Sequence, residues 1–236
     1  MHDCSTSELS ALSQRMEATT ALDRIQQMHE IYPNKLIVTS SFGIHSAISL
    51  QLVNQVYPSI PIIFIDTGCL FKDTYLYAEH LTRNLGLNVH CYCTRITPAH
   101  QEALYGKRWE ASLENLDEYL NDNKIEPIND QKPAFWISGL RRKQSDTRKN
   151  RPVTEGQLGI LKLPPTIDWN DEAVSIYIES QQHPYHSLET AGHVSVGDWH
   201  RTTKLGTGMR PQDTRSGGLK RECRLHENAK WKGKQP

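Results

Sequence analysis

Short apolar runs alternate along this chain with segments of helical periodicity, and that order restricts the fold more than any other feature. Lys35–Thr39 (KLIVT), Pro61–Ile65 (PIIFI) and Asn88–Cys93 read as strands, and Ala134–Ser138 and Gly159–Leu163 as two more. His45–Val56, Phe71–Asn84 and about Asp171 to Gln181 read as helices. Strands that are apolar throughout are buried on both faces, and strands separated by helices build crossovers in a parallel sheet. The expected fold is therefore α/β: a doubly wound, mostly parallel sheet with a flexible C-terminal tail. Three segments are expected: an N-terminal helical segment (1–34), an α/β domain (35–182) and a C-terminal segment (183–236). In the first, Leu9, Leu12, Met16, Leu22, Ile25 and Met28 suggest one amphipathic helix.

Several classes are set aside by composition. At 236 residues and 37% hydrophobic content, the chain can bury a core without disulfide staples. Its five cysteines, at 4, 69, 91, 93 and 223, are odd in number and scattered, unlike a disulfide framework. No run of 18 apolar residues offers a membrane span. The first residues carry neither a basic nor an apolar signal region, so a cytoplasmic address is expected. Net charge is zero, but residues 200–236 hold ten Lys/Arg against three Asp/Glu. Such a tail reads as a solvated face, as a nucleic-acid contact, or as a cover for a polyanionic small molecule.

Four constellations carry chemistry. Ser40-Ser41-Phe42-Gly43-Ile44-His45-Ser46 follows a strand and opens a helix, a turn that aims backbone N–H groups and the helix dipole at an anion. No Gly-Lys-Ser/Thr follows, so it is not a Walker A loop, and an ordinary N-capped helix is the competing reading. Asp66-Thr67-Gly68 ends the next strand. Its carboxylate suits adenine or ribose donors, or closes an Asx turn on its own backbone. Gly139-Leu140-Arg141-Arg142-Lys143-Gln144, with Arg148 beyond, offers guanidinium forks to phosphate, or is a solvated basic loop. Cys223 stands among Lys220, Arg221, Arg224 and His226, and positive neighbours favour the nucleophilic thiolate. Cys91 and Cys93, alternate on a strand-like run, read as small buried hydrophobic residues. Cys69 reads as packing or as a neighbour of the site. The eleven histidines offer no metal set.

In this order, the Ser-Ser-Phe-Gly loop, Leu70-Phe71, Gly-Leu-Arg-Arg, Ile167-Asp168-Trp169, Val194-Ser195-Val196-Gly197-Asp198 and the terminal Glu-Cys-x-Leu-His resemble the phosphoadenylyl-sulfate (PAPS) reductase family. The resemblance runs from roughly Ser40 to His226. Ser41-x-Gly43-x-x-Ser46 is also similar to the phosphate loop of the adenine nucleotide alpha hydrolase-like and ATP pyrophosphatase-like proteins. The resemblance implies reduction of PAPS to sulfite and adenosine 3′,5′-bisphosphate in assimilatory sulfate reduction and cysteine biosynthesis. It implies a Cys223 S-sulfonate intermediate, with His226 orienting or activating the thiol, and thioredoxin or glutaredoxin as electron donor. It assigns substrate contacts to Ser40, Ser41, Phe42, Gly43, His45, Asp66, Thr67, Lys107, Arg141, Arg142, Arg148, Arg215 and Lys220. A homodimer is implied, with no nucleic acid, no membrane and no bound cofactor.

Related adenylyl-sulfate reductases carry a four-iron cluster on two cysteine pairs. By the family pattern these would fall near Tyr119-Leu120, ahead of Lys124, and near Asp198 and Arg201, where this chain has no cysteine. No iron–sulfur cluster and no metal are therefore expected. One departure is Arg224, which stands where the family motif has glycine. Competing assignments are an adenylyl-sulfate reductase, an ATP pyrophosphatase-like adenylating enzyme, and a non-enzymatic nucleotide- or RNA-binding module using the basic tail.

Overall fold

The computed structural model describes residues 6–33, 35–128, 135–157 and 160–218. Six strands form one sheet: β1 (Leu36–Ser40), β2 (Pro61–Asp66), β3 (Asn88–Cys93), β4 (Phe135–Ile137), β5 (Glu155–Gln157) and β6 (Ile160–Leu163). Their order is β3-β2-β1-β4-β6-β5. Every neighbouring pair is parallel except β5 and β6. The doubly wound α/β fold read from the sequence is the one observed. Of the C-terminal segment, residues 183–218 are described and 219–236, which hold Lys220, Cys223 and His226, lie outside the described residues.

The helices are α1 (Thr6–Glu17), α2 (Ala21–Ile31), α3 (Ser46–Val56), α4 (Lys72–Leu85), α5 (Pro98–Tyr105), α6 (Arg108–Ala111), α7 (Leu113–Leu120), α8 (Asp171–Ser180) and α9 (Ser187–Thr190). Strand pleating divides the core in two. Ile62, Phe64, Phe135 and Ile137 pack with Ile25, Leu50, Leu81 and Ile178 from α2, α3, α4 and α8. The alternate residues Ile63, Ile65 and Trp136 pack on the other face with Ile125 and Ile128. Burying each such side chain contributes roughly 1.5–3 kcal/mol, so both faces of β2 and β4 have to be covered.

Three expectations need correction. The N-terminal apolar repeat is not one helix, because it breaks before Thr20. There Thr20 Oγ1 accepts a bond from the Asp23 amide (3.2 Å) and the Asp23 carboxylate accepts one from the Thr20 amide (3.2 Å). This reciprocal box starts α2 afresh. The second correction is β5, whose Glu-Gly-Gln sequence lacks any apolar signal; it closes the β6 edge antiparallel. The third concerns Cys91 and Cys93. They are exposed, not buried, because β3 is an edge strand.

Candidate anion site

Strand order reverses between β1 and β4: β2 and β3 extend one way, β6 and β5 the other. Ligands of open α/β sheets bind at such a switch point, outside the carboxyl ends of the strands. The Ser40–Ser46 turn leaves β1 there, and Ser138–Arg141 leaves β4 beside it. The loop after β4 lies against the helix that the β1 turn opens: a Cβ on Gly139 would lie 3.2 Å from Ser49 Oγ of α3.

The turn is built on an unusual residue. Phe42 has φ 47°, a left-handed conformation that L residues rarely adopt. Holding it costs on the order of 1–3 kcal/mol. Two contacts offset this. The Phe42 amide donates to Ser40 Oγ (3.0 Å), and its fully buried ring meets Phe64 edge-on at 5.0 Å. The special backbone therefore falls on Phe42, and its side chain is an anchor. A Cβ on Gly43 would make only ordinary contacts, with Ser41 Oγ and Val196. Ser41 is exposed.

α3 begins after His45, whose side chain makes no capping bond to the first turn. An uncapped helix start leaves N–H donors for an anion. Ser46 Oγ, at the first helical position, is buried with no hydrogen-bond partner among the described residues, as is Arg141 Nε. Arg141 is buried. Its Nη1 donates to Asp171 Oδ1 (2.8 Å), and its Nη2 lies 3.3 Å from His45 Nδ1. His45 Nε2 in turn lies 3.3 Å from Glu189 Oε1. Thus α8 and α9 fix His45 and Arg141 at the mouth of the turn.

The second arginine takes another direction. Arg141 is extended (φ −132°, ψ 145°), so successive side chains point to opposite sides. Arg142 pairs with Glu17 of α1 and donates Nε to Arg151 O (2.8 Å). Arg148 is buried and bonds Gln144 Oε1. Lys107 is exposed ahead of α6, while its neighbour Arg108 is buried and paired with Asp122 (2.8 Å). Of the predicted basic ligands, Arg141 is brought to the β1 turn and Arg142 is not.

Asp66 Oδ1 accepts from the Gly68 amide (2.8 Å) and from Tyr75 OH (2.7 Å), so the Asx turn left open by the sequence is present. Gly68 has φ +69°, and a Cβ there would strike Pro98 at 2.9 Å. Buried Thr67 donates to Asp198 Oδ1 at 2.7 Å.

Asp198 is the centre of a network that sequence reasoning missed. Its carboxylate is fully buried. Oδ1 also takes Lys124 Nζ (3.2 Å), Oδ2 takes Tyr119 OH (3.2 Å), and Arg201 Nη1 lies 3.7 Å away. Burial alone would raise the Asp198 pKa, but Lys124, Arg201, the Thr67 bond and Arg215 hold it well below the usual carboxylate range. Arg215 lies against Gly197: its guanidinium occupies the space a Cβ there would take. Arg201 further binds Ser216 Oγ through Nε (2.9 Å). One buried carboxylate therefore ties the end of β2, α7 and the 198–216 segment together. Nearby Cys69 is buried, and burial, then Asp198, push its thiol up to about 11, so it stays protonated.

Three of the positions at which the family pattern leads one to expect the cluster cysteines of adenylyl-sulfate reductases, Tyr119, Asp198 and Arg201, fall on this network. Tyr119, Leu120, Asp198 and Arg201 supply a phenol, an alkyl group, a carboxylate and a guanidinium, and none supplies the thiolates that an iron–sulfur cluster needs.

A doubly wound sheet with an uncapped helix start at its switch point, faced by a buried arginine, belongs to the class of open α/β proteins that bind their ligands beyond the carboxyl ends of the strands. The sequence matches the phosphoadenosine phosphosulfate reductase domain over residues 35–204. Phosphoadenosine 5′-phosphosulfate reductase of Sodalis glossinidius is 43% identical over 226 residues, covering 94% of this chain and 93% of its own length. That of Salmonella heidelberg is 44% identical over 223 residues, covering 93% and 91%. The chain belongs to the phosphoadenosine phosphosulfate reductase family. Among solved structures, Candida auris PAPS reductase in a phosphate complex superposes with a TM-score of 0.72 at 23% identity, covering 85% of this chain and 98% of that one. Candida glabrata FMN adenylyltransferase with FAD and pyrophosphate gives 0.56 at 14% identity, covering 90% and 74%. These two likenesses describe the fold.

Proposed function

We propose that this chain reduces PAPS to sulfite and adenosine 3′,5′-bisphosphate, with Cys223 as nucleophile. The observation that carries the reading is the pair of buried, unpartnered donors at the switch point, Ser46 Oγ and Arg141 Nε. A buried donor without a partner costs about 1–3 kcal/mol, and an anionic ligand removes that cost. The 43% identity to named reductases supplies the chemistry.

In the proposed reaction the Cys223 thiolate attacks the sulfur of the sulfo group. An S–S bond forms, the S–O bond to phosphate breaks, and adenosine 3′,5′-bisphosphate leaves with the bonding pair. Its negative charge is stabilised by the Ser40–Ser46 turn, the α3 N-terminus and Arg141, with Arg215 and Lys220 from the C-terminal segment. A thiolate of thioredoxin or glutaredoxin then attacks Cys223 Sγ and expels sulfite. A second thiol of the donor resolves the mixed disulfide. His226, three residues on, orients or activates Cys223. The Asp198 network supports a cluster-free enzyme and hence the 3′-phosphorylated substrate. The reading carries a cytoplasmic homodimer with it.

Mass spectrometry of the intact protein after mixing with PAPS, without a dithiol donor, tests this. The expected result is a gain of one sulfo group mapped to the Cys223 peptide, absent in Cys223→Ser, which still binds adenosine 3′,5′-bisphosphate. An unmodified Cys223 peptide with active substrate present overturns the reading.

A further inference from the structure

We propose that Cys91, Cys93 and Asp66 form a binding site for a zinc-class divalent cation on the open edge of the sheet. The three residues share one face of adjacent parallel strands: Cys91 pairs in register with Phe64 and Cys93 with Asp66. Strand alternation puts both thiols on the same side of β3. Their sulfurs lie 3.9 Å apart. Two zinc–sulfur bonds of about 2.3 Å at a tetrahedral angle span about 3.8 Å, so the pair already stands at the bite of the ion.

The third ligand comes from another element. Sγ of both cysteines and a carboxylate oxygen of Asp66 all lie within 4.8 Å of one another. Asp66 is held in place: the Gly68 amide and Tyr75 OH both bond its Oδ1. These bonds are made by α4 and the β2 turn, so the carboxylate orientation does not depend on the cysteines.

On binding, both thiols give their protons to the buffer and both sulfurs become thiolate ligands, with no change in redox state. Two thiolates and one carboxylate select zinc, cobalt or cadmium over magnesium and calcium. Cys91 and Cys93 are both exposed, so water completes the fourth position and the ion exchanges with solvent.

The test is Co2+ titration of the reduced full-length chain, followed by Zn2+ displacement. One Co2+ per chain is expected, with a thiolate-to-cobalt charge-transfer band and the intense visible bands of a tetrahedral ion. Cys91→Ser and Cys93→Ser each weaken binding by about tenfold or more, and the double variant loses the band. Asp66→Asn keeps the band at lower affinity. Cys223→Ser leaves band and affinity unchanged. In the unmutated chain, Zn2+ slows alkylation of Cys91 and Cys93 but not of Cys223, a readout that needs no variant to fold. No band in the reduced chain, an unchanged band in the double variant, or loss of the band in Cys223→Ser overturns the proposal.

Discussion

Thr67 Oγ1 donates a 2.7 Å hydrogen bond to Asp198 Oδ1 across 131 residues of sequence. The bond joins the carboxyl end of β2 to the C-terminal segment. It also makes the fold around the anion site dependent on a buried charge.

Removing that charge leaves Lys124 and Arg201 buried without their partner. Asp198→Asn is expected to lower stability by about 3–5 kcal/mol in denaturant unfolding. Thr67→Val, which removes one neutral donor, is expected to cost about 1–3 kcal/mol. Equal losses from the two substitutions would contradict the charge-centred account.

The paired arginines separate by readout. Arg141→Ala is expected to weaken adenosine 3′,5′-bisphosphate binding by roughly 10- to 100-fold in calorimetry, the value of one charge-assisted bond. Arg142→Ala breaks the partly exposed pair with Glu17 and is expected to cost under about 1 kcal/mol of stability, with little change in affinity. The reverse pattern would move the anion site towards α1.

Gly197→Ala introduces a methyl group where the Arg215 guanidinium sits. The far end of Arg215 is flexible enough to move, so the protein is expected to fold with a loss of about 1–3 kcal/mol. Nucleotide affinity is expected to fall with it, because the methyl group displaces the guanidinium of a proposed substrate ligand from Gly197. Unchanged affinity would remove Arg215 from the site.

His200 sets a pH dependence. Its ring lies 4.0 Å from Trp109 and 5.5 Å from Tyr119, and neither ring nitrogen has a partner among the described residues. Burial lowers its pKa from 6.5 to about 4. Between these values the unfolded chain binds the proton and the folded chain does not. Stability contributed by the neutral ring is therefore complete above pH 6.5 and lost as pH falls towards 4. The slope is at most about 1.4 kcal/mol per pH unit, reduced by solvent screening at a partly exposed ring. Denaturant midpoints measured across this window are expected to fall, and to fall less in His200→Phe.

Much of the sheet was legible because β1, β2 and β6 are mostly apolar, as strands covered on both faces must be. β5 was not, because its pairing is set by β6 and not by its own polar residues. The start of α2 was written in Thr20-Ala21-Leu22-Asp23, but an apolar repeat continuing across it hid the break. At the site, the Ser40–Ser46 turn and Arg141 were legible from local order. The divergence of Arg142 needed the extended backbone at Arg141. The Asp198 network was not readable, since Tyr119, Lys124, Thr67 and Arg201 meet only after folding. Tyr119, Asp198 and Arg201 stood out in the sequence only for lacking cysteine, and Thr67 only as part of the Asp66-Thr67-Gly68 turn, with no sign that they bond one another.

The anchoring of Arg201 and Arg215 also sets a leash. Cys223 follows Gly218, the last described residue, after five steps of the chain. A fully extended chain gains at most about 3.6 Å per residue, so the sulfur-bearing residue stays within about 18 Å of that anchor. If Cys223 carries the proposed S-sulfonate, its reductant has to dock on this flank of the enzyme, because so short a connection cannot reach another.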